Sequence, residues 1–225
     1  MKTAGSALGA IAAMLALAAP AHADEGNQGK WQVKLLGTAV LPDGKITALN
    51  TDQVGLPADL QTKANDNYVP TVAIEYFFTP NISVETICCM TQHDVDGTTG
   101  LPGAELVADA KIIPATLTLK YHVDAGPIRP YVGAGPSYFL FVSDKPGAAA
   151  VAAGADGFKL DDHLGFALQA GVDIPLGNKG FALSFDAKRY FMRTTAHWYA
   201  GSDEVISTDH KLDPWLLSAG VGYRF

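Results

Sequence analysis

The residues here whose chemistry could act on a substrate or hold a metal are few. They are His93 with Asp94 beside it, His163, His197, His210, and the adjacent pair Cys88 and Cys89. Acid–base, nucleophilic or metal chemistry would need partners at a fixed spacing, such as HExxH, a nucleophile elbow or a second cysteine pair. The sequence has none of these. Neighbouring cysteines in a strand point to opposite faces, while a disulfide needs its Cβ atoms about 3.5–4.5 Å apart. Cys88 and Cys89 therefore read as small apolar fillers. The sequence predicts no catalytic residue, no metal and no cofactor, so an enzyme is not expected. What remains is a set of charges, each embedded in an alternating apolar run: Lys34, Glu75, Glu85, Lys120, Asp173, Asp186, Lys188 and Arg224. Their meaning depends on the elements that carry them.

From Pro214 to Phe225 the alternation is unbroken. Trp215, Leu217, Ala219, Val221, Tyr223 and Phe225 share one face; Leu216, Ser218, Gly220, Gly222 and Arg224 share the other. Period 2, with a bulky apolar face opposite a small or charged one, suits a strand with lipid outside and a narrow polar lumen inside. Similar runs cover about 30–40, 69–78, 82–90, 112–123, 128–142, 163–174 and 180–192. Short turns at Thr79-Pro80-Asn81, Asp124–Pro127 and Pro175–Lys179 alternate with long connections at about 41–67, 91–111, 143–161 and 193–213, which read as irregular. The fold class expected is all-β: an eight-stranded antiparallel transmembrane barrel with short periplasmic turns and long extracellular loops. A soluble lipocalin-like barrel would invert the faces, placing bulky apolar residues inside. Arg189 falls on the lipid face, which is tolerable near the outer interface or after a one-residue slip in register.

Residues 1–23 read as a signal peptide: Lys2, an alanine-rich apolar stretch and the cleavage site Ala21-His22-Ala23. The barrel domain is then 24–225, exported through the cleaved signal to the outer membrane. Removing Lys2 moves the formal net charge from -7 to -8. An acidic chain has no electrostatic claim on nucleic acid. No mature stretch reaches the roughly 18 apolar residues of a helical span.

Several stretches resemble the OmpW family of small outer-membrane β-barrels. They are Trp31-Gln32-Val33-Lys34, Asn81-Ile82-Ser83-Val84-Glu85, Ile113 to His122, Ile128 to Pro136, and the ending Gly220-Val221-Gly222-Tyr223-Arg224-Phe225. The resemblance implies an eight-stranded monomeric barrel that passively admits small hydrophobic compounds. The terminal Phe225, with Tyr223 before it, resembles the signal read by the barrel-insertion machinery. Membrane lipid and lipopolysaccharide would be its surroundings. The Ala148-to-Ala153 run is more apolar than a typical loop of such a barrel.

An eight-stranded barrel fills with side chains or holds one small ligand. Opposite charges inside it should pair, because unpaired ones carry a large desolvation penalty. Neighbouring strands suggest Lys34 with Glu75, Glu85 with Lys120, Asp173 with Lys188, and Asp186 with Arg224, together plugging the lower lumen. A solute would then have to leave sideways. Pro114 and Pro136, lacking an N–H, are candidate weak points in the ladder, or simply bends. Leu56, Leu60, Leu101, Leu106, Val107, Val151, Phe158 and Trp198 are the candidate apolar entrance. The rival readings are a surface protein whose loops bind host or phage, and an ion-conducting porin.

Overall fold

The computed structural model describes residues 29–225; residues 1–23, expected to be a signal peptide, lie outside the described residues. In chain order the strands are β1 (Trp31–Leu41), β2 (Lys45–Asp52), β3 (Thr62–Ala64), β4 (Asn67–Phe77), β5 (Ile82–Cys88), β6 (Thr91–Gly97) and β7 (Glu105–His122). Then come β8 (Arg129–Pro146), the short helix α1 (Ala148–Ala152), β9 (Gly157–Leu160), β10 (His163–Pro175), β11 (Phe181–Phe191), β12 (Arg193–Ala200), β13 (Asp203–Lys211) and β14 (Trp215–Arg224).

Eight of these close a barrel. The ladders run β1–β4–β5–β7–β8–β10–β11–β14, and β14 returns to β1, all antiparallel. Closure leaves no backbone edge facing lipid, which is the condition for a sheet to exist in a membrane. Alternation fixes the faces. Leu117, Leu119, Val132, Leu168, Phe185 and Val221 are exposed on the outside, while Thr116, Thr118, Lys120, Gln169, Ser184 and Asp186 are buried inside. A contiguous exposed apolar band of this kind is stable only against lipid.

Aromatic pairs mark the lower rim: Trp31 on Tyr76 at 4.8 Å, Tyr76 on Phe78 at 5.2 Å, and Phe181 on Tyr223 at 4.7 Å. Tyr68, Tyr138 and Trp215 are exposed nearer the other end. Arg189 does face outward, with no slip in register: it pairs with Trp215 across β11–β14. Its guanidinium lies 5.2 Å from the Trp215 ring and 2.7 Å from the Asp43 carboxylate in the turn above β1. The charge is thus neutralised at the upper rim.

The long connections are not irregular. The barrel wall continues upward as strands. On one side β3, β6, β7 and the upper part of β8 stay in the main sheet; on the other, β2, β13, β12 and β9 form a separate four-stranded sheet. Among the described residues no ladder joins the two halves. Side chains cross instead: Gln61 Oε1 accepts from the Ile46 N–H at 3.1 Å and its Nε2 donates to the Ile46 carbonyl at 3.3 Å. At the opposite seam, Asp162 accepts from the Phe141 N–H at 3.0 Å. The alanine run forms α1, whose Ala150 packs with Trp198 and Val107. Cys88 points out, Cys89 points in, and both are free thiols.

Candidate functional site

Lower in the barrel, inward side chains from seven of the eight barrel strands meet in one buried polar network. Lys34 of β1 lies 3.2 Å from Glu75 of β4 and 3.2 Å from Asp173 of β10. Lys120 of β7 bridges Glu75 at 2.9 Å and Glu85 of β5 at 2.8 Å. Lys188 of β11 bridges Glu85 and Asp186, each at 2.9 Å. Gln169 donates to Glu85 and Asp186, and the Tyr131 hydroxyl of β8 donates to Asp186. The Lys120 ammonium also sits 3.8 Å from the Tyr131 ring centre. Three ammonium groups face four carboxylates, and His122 Nε2 lies 2.8 Å from Glu75.

Glycines opposite make room for these long side chains. A Cβ on Gly171 would fall 2.4 Å from the Tyr131 hydroxyl, and one on Gly222 would fall 2.8 Å from Gln32 Nε2. Small residues here are therefore part of the packing.

Lys34 thus meets Glu75, and Lys120 meets Glu85. The other two suggested pairs do not form. Asp173 takes Lys34 and the Ser184 hydroxyl, while Lys188 turns to Asp186 on its own strand. Arg224 stands lower, its guanidinium 3.6 Å from the Phe77 ring centre and its Nε donating to the Gly29 carbonyl. The reason is stagger: strands tilt in a closed barrel, so equal sequence offsets do not mean equal depth.

The charged layer ends abruptly, with hydroxyls such as Thr116, Ser137 and Tyr190 continuing the polar contacts. One inward step above Lys34, Glu75, Glu85, Gln169 and Lys188 stand Leu36, Ala73, Ile87, Ala167 and Tyr190. With Phe139, Met192 and Leu216 they form an apolar floor. Above it opens a cavity of about 100 Å³, lined among others by Val40, Ile112, Pro114, Phe139, Tyr190, Met192 and Leu212 and, toward the mouth, by Leu106, Val107, Phe158 and Trp198. Phe158 and Trp198 pack with ring centres 4.9 Å apart, and the Trp198 indole N–H donates to the Leu106 carbonyl across the mouth at 3.3 Å.

Of the entrance residues suggested by sequence, Leu106, Val107, Phe158 and Trp198 line this cavity. Leu60 is buried but outside it; Leu56 and Leu101 are half-buried elsewhere in the upper wall, and Val151 is exposed on α1. Pro114 faces the cavity, whereas Pro136 faces outward. Pairing of β7 with β8 holds at Thr116–Ser137 and Leu119–Ala134 but skips the two positions between, which include Pro136. The missing N–H thus falls on the β7 side, since the ladder to β10 continues through Phe166–Pro136. Phe139, Tyr190 and Met192 of the floor were not singled out by sequence. The apolar residues two positions beyond each charge were the available signal.

Two histidines look into the cavity from opposite halves of the upper wall. His93 Nδ1 lies 2.7 Å from the Asn65 carbonyl, so it carries the proton, and Nε2 accepts from the Thr91 hydroxyl at 2.8 Å. His210 Nε2 is 2.7 Å from the Thr208 hydroxyl. Burial pushes the His210 imidazole down to about 4 from 6.5, against a smaller opposing pull from Asp209. Between pH 6.5 and 4 the opened hairpin binds a proton that the closed one does not, so closure weakens as pH falls through that window. At pH 5 the opening free energy of the β12–β13 hairpin should be about 2 kcal/mol lower than at pH 7. Amide hydrogen exchange at the two pH values, with His210→Asn for comparison, reads this directly. Equal opening free energies in the wild-type protein would show that His210 is not the titrating group.

Among the described residues no cluster of His, Cys, Asp or Glu is arranged to hold a metal ion. Comparison with known proteins bears on the whole barrel. Residues 27–225 match the OmpW family. The chain is 36% identical over 229 residues to the uncharacterized outer-membrane protein y4mB of Sinorhizobium fredii, covering 97% of this chain and 91% of that one. It is 31% identical to the dibenzothiophene metabolism operon protein PahQ of Pseudomonas aeruginosa, covering 94% and 95% respectively. Among solved structures, the outer membrane protein OprG from Pseudomonas aeruginosa superposes with a TM-score of 0.78 at 24% identity, over 88% of this chain and 96% of that one, a likeness of fold. With a match along nearly its whole length and a closed eight-stranded wall, this chain belongs to the OmpW family and is an outer-membrane β-barrel.

Proposed function

We propose that this barrel passively admits small hydrophobic molecules through the outer membrane, by way of the upper cavity and a sideways exit above a charged plug. The observation that carries the reading is the one-residue boundary between an apolar cavity and a lumen filled by paired charges. An apolar solute gains on leaving water for the cavity and gains nothing by crossing the ion pairs below. The relative named for a dibenzothiophene metabolism operon, a setting that handles an apolar aromatic, is consistent with this cargo.

The exit is assigned to the seam between β7 and β8, where the ladder skips at Pro136. The seam is closed by backbone contact: a Cβ on Gly135 would fall 1.9 Å from the Leu117 carbonyl oxygen. Opening therefore requires the strands to part, and Pro136 lowers the number of hydrogen bonds to be broken. The other plug residues, Asp173, Asp186 and Lys188, act in this reading as the barrier to straight passage.

The test is uptake of a medium-chain alkane and of a small polar probe by cells lacking and then regaining the protein. A gain for the alkane alone supports the conduit. A gain for both means an open lumen, and a gain for neither favours loop-mediated surface binding. In the same assay Pro136→Ala should slow alkane uptake about three-fold, the worth of one restored hydrogen bond of roughly 0.7 kcal/mol, with the barrel still resisting unfolding by SDS at room temperature. Unchanged uptake in that variant removes the β7–β8 exit while leaving the conduit intact.

A further inference from the structure

Directly above the lipid-facing band, three basic residues stand side by side on adjacent strands. Arg193 of β12 is opposite Lys211 of β13, and Lys211 is opposite Lys45 of β2. Like charges directly opposite each other destabilise a sheet. The row is unexpected in a chain of net charge -7.

One local acid pairs with the middle of the row, and the two flanking cations stay unpaired among the described residues. Asp213 is buried, holds Lys211 at 2.9 Å and is also bound to the Met192 N–H. Asp43 is hydrogen-bonded to Arg189, whose bond and charge hold that carboxyl below the ordinary range, with smaller pulls from Lys211 and Lys45. Asp209, one outward step above, accepts from Asn50 and Thr195. Lys45 and Arg193 are exposed, and neither has a carboxylate within salt-bridge distance among the described residues. Adjacent strands lie about 4.8 Å apart, so the backbones of these two residues stand about 10 Å apart with Lys211 between them. That spacing lets their side chains converge on one tetrahedral anion.

Height gives the kind of anion. Below the row on the same outer face lie Phe191 and Trp215, then Leu217, each close to half exposed. These residues meet acyl chains, so the basic row lies at headgroup level in the outer leaflet. We propose that Lys45 and Arg193, on either side of the Asp213-bound Lys211, bind the phosphate of a phosphorylated glycolipid headgroup, with its acyl chains resting on Phe191, Trp215 and Leu217. The site depends on the outer-membrane placement of the barrel and is independent of whether the lumen conducts a solute.

Titration of the purified, detergent-solubilised protein with diphosphorylated lipid A, with the same lipid stripped of phosphate, and with inorganic phosphate tests this by native mass spectrometry. Lys45→Gln with Arg193→Gln should weaken binding of the diphosphorylated lipid about tenfold or more. The stripped lipid should bind the wild-type protein weakly and be unaffected by the change. A control pair with the same loss of charge, Lys63→Gln with Lys145→Gln, should bind as the wild type does. Removing like-charge opposition should not impair folding, and retained heat-modifiable gel mobility checks that. Equal binding of the phosphorylated and stripped lipids, or unchanged binding in the double variant, would overturn the proposal. So would displacement of the lipid by millimolar inorganic phosphate, which would mark a site for free anions.

Discussion

Lys120→Ala is expected to destabilise the barrel by about 3–5 kcal/mol, the usual cost of removing one member of a buried ion network. The Lys120 ammonium is fully buried and lies within 3 Å of both Glu75 and Glu85. Its removal leaves Glu75 with Lys34 and Glu85 with Lys188, two carboxylates sharing too little positive charge in a narrow lumen. Equilibrium urea unfolding in micelles measures the loss. The same variant should raise single-channel conductance in a planar bilayer, because water enters where the aliphatic stem lay over Gly133 and the ammonium over Tyr131. Lys120→Met, which keeps that stem, separates the two effects: stability should still fall, while conductance should rise less. A stability change below about 1 kcal/mol in both variants would show that the network carries little of the barrel's stability.

Val107→Asp should reduce alkane uptake about tenfold or more while leaving polar-probe uptake unchanged. Val107 is 4% exposed and lines the cavity beside Trp198 and Leu106. Transfer of an apolar solute into such a cavity is worth about 25 cal/mol for each Å² removed from water. A carboxylate in the lining holds water there and cancels much of that gain; a tenfold effect needs only about 1.4 kcal/mol. Ala196→Gln adds a neutral polar group to the lining on the opposite half-wall and should act in the same direction with a smaller effect. Normal uptake by both folded variants would place the route elsewhere.

The membrane-spanning part was legible because two solvents write their difference on alternate residues. The run from Trp215 to Gly222 and the run from Ala115 to Val123 each assign every side chain to lipid or lumen, and burial follows that assignment. The upper wall was not legible for the same reason. Thr195, His197 and Tyr199 face water, while Thr194, Ala196 and Trp198 face a mixed interior, so polarity there does not alternate cleanly. Residues 91–97 and 203–211 therefore read as loops, although they are strands. In the lumen the charges themselves were evident, but of the four suggested pairs only Lys34 with Glu75 and Lys120 with Glu85 meet. Glu85 collects Lys120 from the neighbouring strand and Lys188 from across the barrel, and Lys188 reaches Asp186 two residues back. Depth inside a tilted, staggered wall is set by closure, which no single strand records. Arg224 shows the same limit, lying a layer below the charges it was grouped with.

The two seams of the upper wall give the protein unequal compliance along its axis. Within the bilayer the circumference is fixed, since widening it means breaking a backbone ladder. Above the bilayer the half-shells meet through side chains such as Gln61 and Asp162, and each such bond contributes about 0.5–1.5 kcal/mol. A molecule somewhat larger than the resting cavity can therefore be accommodated by spreading the mouth like a split collet, while the ring beneath keeps its bore. On the proposed route, the size limit on entry is set by the elastic upper collar, and the limit on exit by how far β7 and β8 can part at Pro136.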